Sequence, residues 1–287
     1  MPNHKRVLKH IAKRVPAVGR VVTERDNFRN VVGILETEKQ QLLDDNRMTL
    51  SHKFIRGNGI EIGALHMSLS VHPDAKVKYV DYLPVSKLRK HYPELKDLPL
   101  VDVDIVDDGE KLTKVKKSSQ DFIIANHFLE HCQDPIGTLI TFYEKLRGGG
   151  ILYMAIPDKR YTFDMHRPLT SYTHLLEEHK IYPSKKFYRA HCQEVAKLTE
   201  GIKQKKNIEN RAQALMDMNY SIHYHVWTQK ELVEFFNKTA ERFSLNIEIE
   251  AMINNMHEVI FIIKKFDQRK ESAKVKSIEK HYFSKGA

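Results

Sequence analysis

The sequence predicts an α/β fold built on a mostly parallel seven-stranded sheet, with a helical insertion after the fifth strand and an antiparallel hairpin at the end. Three observations carry this reading. Short apolar runs alternate with helix-period stretches from residue 59 to 156, the pattern of right-handed βαβ units with helices on both faces. The run Asp121-Phe122-Ile123-Ile124-Ala125-Asn126 is continuously apolar inside, as a strand covered on both faces must be. Two strand-like runs then close the chain, Leu245–Met252 and His257–Lys264, with Asn254-Asn255 turning between them.

The elements follow in order. Residues 21–50 read as helix, with Val31, Val32, Ile34, Leu35, Leu42 and Leu43 spaced among many charges. The first strand covers Gly59–Ile62 and the second Val77–Asp81; Leu100–Ile105 is a weaker third. Residues 135–147 form an amphipathic helix that Gly148-Gly149-Gly150 stops, and Ile151–Ile156 is a fifth strand ended by Pro157. From Asp158 to about Tyr220 the chain is polar, rich in histidine and helical, too long for an ordinary loop. It reads as an insertion covering the carboxyl ends of the strands. Residues 228–239 give another helix. The expected organisation is a basic helical extension over 1–50, one domain over 51–265 with its insertion at about 158–227, and a basic tail over 266–287.

Composition narrows the function. Cys132 and Cys192 are the only cysteines, which leaves no disulfide framework and no cysteine-based zinc site and fits a reducing, cytoplasmic setting. No apolar run approaches the roughly 20 residues of a membrane span. The net charge of +10 sits at the ends: +6 over residues 1–20 and +5 over 264–287, leaving the body at −1. A nucleic-acid enzyme lines its own groove with positive charge, so a nucleic-acid partner is not expected. Charged ends serve solubility. Residues 4–15, HKRVLKHIAKRV, also place Val7, Leu8, Ile11 and Val15 near helical spacing, which fits loose contact with an anionic membrane surface.

The chemistry starts at GNGIEIGALH, residues 57–66. A dinucleotide loop needs G-x-G-x-x-G so that backbone can approach a pyrophosphate. Here Gly63 is followed by Ala64-Leu65-His66-Met67-Ser68, so the later glycines are missing. A nucleoside ligand without phosphates does not need them. S-adenosylmethionine is one, with Glu61 as the acid for its ammonium and Gly63 as the tight turn beneath it. An acid between Ile60 and Ile62 in a buried strand is costly without such a partner.

Over about residues 58–170 the chain resembles the class I S-adenosylmethionine-dependent methyltransferases, which have a Rossmann-like fold. The likeness is to the broad type 11 group and its members found with enzymes that modify sugars and cell-surface glycans. Glu61-Ile62-Gly63-Ala64 matches the family's first loop, with Ala64 where a glycine is common. The resemblance implies that Asp81 binds the ribose hydroxyls, that Asp104 with Ile105 reads the adenine amine, and that Asn126 and His127 line the cofactor. It also implies that Glu130-His131 opens the substrate side.

The run His127-Phe128-Leu129-Glu130-His131 spells H-x-x-E-H, an inverted zinc-protease spacing. That motif needs a helix, and this run follows directly on a buried strand. Whether a divalent metal binds there is left open. An oxygen acceptor needs its proton removed by a group with pKa near 7. His131 is the first candidate and Asp158 the second. His223, His225 and Trp227, in SIHYHVW, together with Tyr161, are expected to line a pocket for a small-molecule or sugar acceptor, where aromatic faces stack on sugar rings. Two readings stand beside this one: an RNA or protein methyltransferase using the basic ends, and a binding module without turnover.

Overall fold

A computed structural model describes residues 16–267 of the chain. The amphipathic segment expected over 4–15 and most of the basic tail lie outside the described residues. The chain divides after Arg47 into two compact units. Helix α1 (Pro16–Phe54) begins in the first and ends in the second. Within the first unit it leaves Val31, Ile34, Leu35 and Leu42 more than half exposed.

The second unit holds the sheet, with helix α2 (Val85–His91) between its second and third strands. Its strands are β1 (Gly57–Ile62), β2 (Ala75–Asp81), β3 (Ile105–Val106), β4 (Gln120–Ile124), β5 (Leu146–Pro157), β6 (Ile247–Asn255) and β7 (Glu258–Lys265). They lie in the order β3-β2-β1-β4-β5-β7-β6. The first five pair in parallel, and β7 runs antiparallel to both β5 and β6. This is the mixed Rossmann-like sheet that the alternating pattern predicts.

The two-residue period of the strands feeds two apolar layers. Phe122, Ile124, Tyr153, Ala155, Ile260 and Ile262 pack on one face with Leu50 and Ile55. Ile123, Met154, Phe261 and Ile263 pack on the other, against Leu139 and Phe142 of α3 (Pro135–Lys145) and Leu232, Phe235 and Phe236 of α7 (Gln229–Arg242). Helix α3 opens on Asp134, whose side chain accepts the Gly137 N–H, with Pro135 at the first helical position. Helix α7 opens on a reciprocal capping box between Thr228 and Glu231.

Three expectations need correction. Asn254 and Asn255 lie within β6, and the hairpin turns at Met256-His257 instead. The strand expected over Leu100–Ile105 shrinks to Ile105–Val106, because Asp102 and Asp104 are exposed and the residues before Ile105 bond only singly to their neighbours. The glycine run does not interrupt the structure after α3. Strand β5 starts at Leu146 and carries all three glycines, and the register slips between Gln120 and Phe122 of β4 to absorb them. Gly149, at φ +87°, takes the left-handed turn of that bulge.

The insertion contains α4 (Tyr172–Ile181), α5 (Lys185–Glu194) and α6 (Lys205–Asp217), around a small core of Cys192, Val195, Ala212, Leu215, Ile222 and Tyr224. Among the described residues no helix is long and apolar enough to cross a membrane.

Candidate active site

Strand order reverses between β2-β1 and β4-β5, which opens a crevice at the carboxyl ends of β1 and β4. Gly63 and Asp81 stand at this edge, at the ends of β1 and β2. Gly63 has φ +66°, and a Cβ there would meet nothing within 4 Å, so the turn leaves open space above β1. Its N–H donates to the Val80 carbonyl at 2.9 Å, tying the turn to β2. Ala64 follows half-buried, and Leu65 is left-handed at φ 50°. His127, just past β4, is left-handed too, at φ 47°. Two non-glycine residues in this sparsely populated region at adjacent strand ends mark a site that overrides local preference.

Asp81 is buried at the end of β2. Burial pushes its carboxyl up to about 6 against the pull of the Leu83 and Tyr82 N–H groups. Glu61 is also buried, and its two oxygens accept the Leu69 N–H at 3.0 and 3.2 Å. The acid that looked costly in a buried strand therefore has a backbone partner, and it pins the loop after Gly63.

Asp104 does not reach the crevice edge. It precedes β3, is exposed, and accepts the Tyr79 N–H at 2.8 Å. The acids at the carboxyl end of β3 are Asp107 and Asp108, with Ile105 inside the strand two residues before Asp107. Asp107 accepts from the Thr113 hydroxyl and the Lys114 and Asp108 N–H groups, which outweigh its burial and hold its carboxyl below the usual range. The shift of register arises because the third strand starts five residues later than its sequence pattern indicates.

Asn126 accepts the Ala155 N–H at 3.0 Å, bridging β4 to β5. His127 Nε2 lies 2.7 Å from Glu258 Oε2 at the start of β7, and its Nδ1 lies 3.6 Å from Glu130 Oε1. His131 sits on a single 3₁₀ turn, Leu129–His131, so the H-x-x-E-H run forms no zinc-protease helix. Its Nδ1 lies 2.9 Å from the Ile222 carbonyl and 3.0 Å from Ser221 Oγ. A carbonyl can only accept, so Nδ1 carries the proton and Nε2 the lone pair. Burial pushes the His131 pKa below its ordinary value, which keeps the ring neutral at pH 7.

His223 stacks edge-on to His131 with ring centroids 4.7 Å apart, and its Nδ1 lies 2.6 Å from Asp164 Oδ2. Phe163, largely exposed, packs on the other side of His223. Tyr161 is exposed with the Arg160 guanidinium over its ring.

Three expected site residues lie elsewhere. Asp158 is fully buried and gripped by Arg160 through Nε and Nη2, which outweighs burial and holds its carboxyl low; it is a structural anion and not a poised base. Trp227 is packed in the main core against Phe235, so no ring face is offered to a sugar. His225 is fully buried beside Glu178. Strand alternation would set all three on one face, but residues 221–226 form no regular strand and only Trp227 makes an isolated bridge to Asp158, so His223 can face the crevice while His225 and Trp227 turn inward.

Sequence reasoning missed the supports. Arg167, itself buried, donates to Asp164, Glu194 and the carbonyls of His223 and Tyr224, and so fixes the segment that presents His223. Its only sequence signal is the i,i+3 spacing Asp164–Arg167 in a polar stretch. Glu130 is 2% exposed, and neither carboxylate oxygen has a hydrogen-bond partner. The trio left open for a metal, His127, Glu130 and His131, is divided. Glu130 groups with His131 and His223, and His127 with His257 and Glu258.

A family model described as a methyltransferase domain matches residues 36–239. The chain belongs to this methyltransferase family. No curated protein matches it. Among solved structures it is similar to a protein assigned as an S-adenosyl-L-methionine-dependent methyltransferase from Methanococcus maripaludis, at 14% identity over 85% of this chain and 92% of that one, with TM-score 0.42. A SAM-dependent methyltransferase from Thermotoga maritima matches at 15% identity over 81% and 96%, with TM-score 0.39. A protein assigned as a zinc-dependent alcohol dehydrogenase from Rhodobacter sphaeroides matches at 11% over 75% and 86%, with TM-score 0.45. Likenesses this distant say nothing of chemistry, and the assignment rests on the family match. The methyltransferase's cofactor is S-adenosylmethionine. Its residues fit that group: the open turn at Gly63 leaves room for the amino-acid end, and the buried Asp81 carboxylate offers acceptors of the kind two ribose hydroxyls need.

Proposed function

We propose that the methyltransferase acts on a hydroxyl oxygen of a small polyol acceptor, a sugar or the exposed end of a glycan. The observation that carries this is the pairing of Glu130 and His131 on one 3₁₀ turn beside the crevice. Neither buried Glu130 oxygen receives a hydrogen bond, with His127 Nδ1 standing off at 3.6 Å from Oε1, and a buried carboxylate short of donors is costly. Hydroxyls of an acceptor are donors that would satisfy them. His131, held neutral with its lone pair on Nε2, would take the proton of the hydroxyl that is methylated. When bound, S-adenosylmethionine supplies a methyl group on a sulfonium, so the protein's task is alignment and proton removal. Glu61, Gly63 and Asp81 serve binding, and His223 with Phe163 and Tyr161 form the acceptor side. A nucleic-acid acceptor is not proposed, since the charge of the body is near neutral.

The test is to incubate the full chain with labelled methyl donor and separated carbohydrate, RNA and protein fractions of a cell extract. Label entering the carbohydrate or small-polyol fraction is expected; label confined to RNA or protein overturns the reading. On an identified acceptor, His131→Ala should lower turnover by roughly 10²–10⁴-fold, the usual worth of a general base, with cofactor binding unchanged by calorimetry.

A further inference from the structure

Helices α4 and α5 and the irregular segment before α7 meet at four side chains that the methyl-transfer reading does not use. His174 and Glu178 stand four residues apart on α4, which sets them on one face. His191 comes from α5 and His225 from the segment leading to Thr228. Glu178 Oε1 lies 3.1 Å from His174 Nε2 and 2.6 Å from His191 Nε2, and Oε2 lies 3.3 Å from His225 Nε2. One donor atom from each of the four falls within 4.8 Å of every other.

We infer that this cluster is a structural site for one divalent transition-metal ion of the zinc class, held by three imidazoles and a carboxylate. A closed zinc site has four donors in a tetrahedron, and imidazole nitrogen and carboxylate oxygen are both among zinc's ligands. With metal–ligand bonds of about 2.0–2.1 Å, tetrahedral donors sit about 3.3–3.4 Å apart, which the His174–Glu178 and His225–Glu178 separations approach. Hydrogen bonds alone leave the cluster unsatisfied. Glu178 Oε2 and both His225 nitrogens are buried without a hydrogen-bond partner, since the 3.3 Å contact between them is near but poorly aligned. One cation satisfies Oε2 and Nε2 together.

Two of the four groups stand in the form that ligation needs, while His174, which the Glu178 carboxylate draws up, would give up a proton on binding. Burial drives the His225 pKa well down, leaving a neutral imidazole. Burial alone would raise the Glu178 carboxyl, but the neighbouring imidazoles draw it to about 2, leaving an anion. His174, whose side chain is the most exposed of the four, gives an ion its way in. The ion would tie α4, α5 and the 223–227 segment to one point, and through that segment steady His223. The two other histidine–carboxylate groups are different in kind. Glu258 is already bound by His127 and Asn255, both at 2.7 Å, and Glu130 with His131 and His223 lies on the reaction side.

The experiment uses the full chain stripped with a chelator and titrated with zinc, and separately with cobalt(II). Readouts are metal stoichiometry by mass spectrometry, the visible spectrum of the cobalt form, and the thermal midpoint. One ion per chain, an intense tetrahedral cobalt spectrum and a raised midpoint are expected. His174→Ala sits at the rim and should fold without metal, yet its affinity should fall at least about 100-fold; His191→Ala should behave likewise. His127→Ala and His223→Ala should keep the ion. A folded protein that binds no ion overturns the inference. So does an ion lost on His127→Ala or His223→Ala but retained on His174→Ala and His191→Ala.

Discussion

Asp81 and His131 show how environment sets the work of a single side chain. Asp81 is an ordinary aspartate pushed up to about 6 by burial at the end of β2. On the proposed reading it accepts from two ribose hydroxyls, and for that it must be ionised. Cofactor affinity should therefore be full above pH 7 and decline as pH falls through about 6. Asp81→Asn should weaken cofactor binding by about 1–3 kcal/mol and remove that decline, which calorimetry at pH 5.5 and 7.5 would show. For His131 the sign is opposite, because burial lowers its pKa and the neutral base persists below pH 6.5. Asp81 was legible from sequence because its strand is regular and ends where the apolar run ends. Asp104 was misplaced because nothing in VDVDIVDD marks where a two-residue strand begins. Arg167, Asp164 and Glu178 were hard to read because, beyond one neighbour three or four residues away, each depends on a partner at least 13 residues away that only the folded insertion brings near.

At the scale of elements, the loop after β3 supports helix α3 in a way its sequence hides. Glu110 in that loop accepts the Gln133 and Asp134 N–H groups just before the helix, each at 3.1 Å, and burial raises its carboxyl to about 7 despite those bonds. A carboxyl whose folded pKa exceeds its unfolded value of 4.5 holds its proton more tightly in the native state, so its contribution to stability falls as pH rises from about 4.5 to 7. Glu110→Gln removes that titration. The stability of the variant relative to the parent should rise between pH 5 and 8, measured by denaturant midpoints; a flat difference would mean that Glu110 is not desolvated. The glycines before Ile151 were read as a helix stop for a sound local reason, since glycine ends helices. The sheet overrode that preference because β4 and β7 offered β5 partners on both sides.

For the whole molecule, the division of charge was plain in sequence, and the consequence is testable without knowing where the ends lie. Residues 58–230 contain every side chain assigned to the cofactor, the proton and the acceptor. Trimming residues 1–15 and 268–287 should leave turnover on a small acceptor within about twofold. A long polyanionic acceptor would instead show a steep loss with added salt in the intact protein and loss of activity on trimming. Comparing both proteins at low and moderate salt, with circular dichroism to confirm folding, distinguishes the two. The fold itself was readable because its signal is repeated in every βαβ unit. The acceptor side was not, because it is built by an irregular insertion whose histidines divide between crevice and interior.

Among the described strands, the last in chain order is not the last in the sheet. β7 lies between β5 and β6, is buried along most of its length, and begins with Glu258, which holds His127. A growing polypeptide can therefore lay down the glycine turn, the ribose acid and the whole insertion and still lack the strand that anchors the β4 end of the crevice. Catalytic competence arrives only once Glu258–Lys265 has left the ribosome and entered the sheet, so a stop codon before Glu258 yields a chain with nearly every functional side chain and no assembled enzyme.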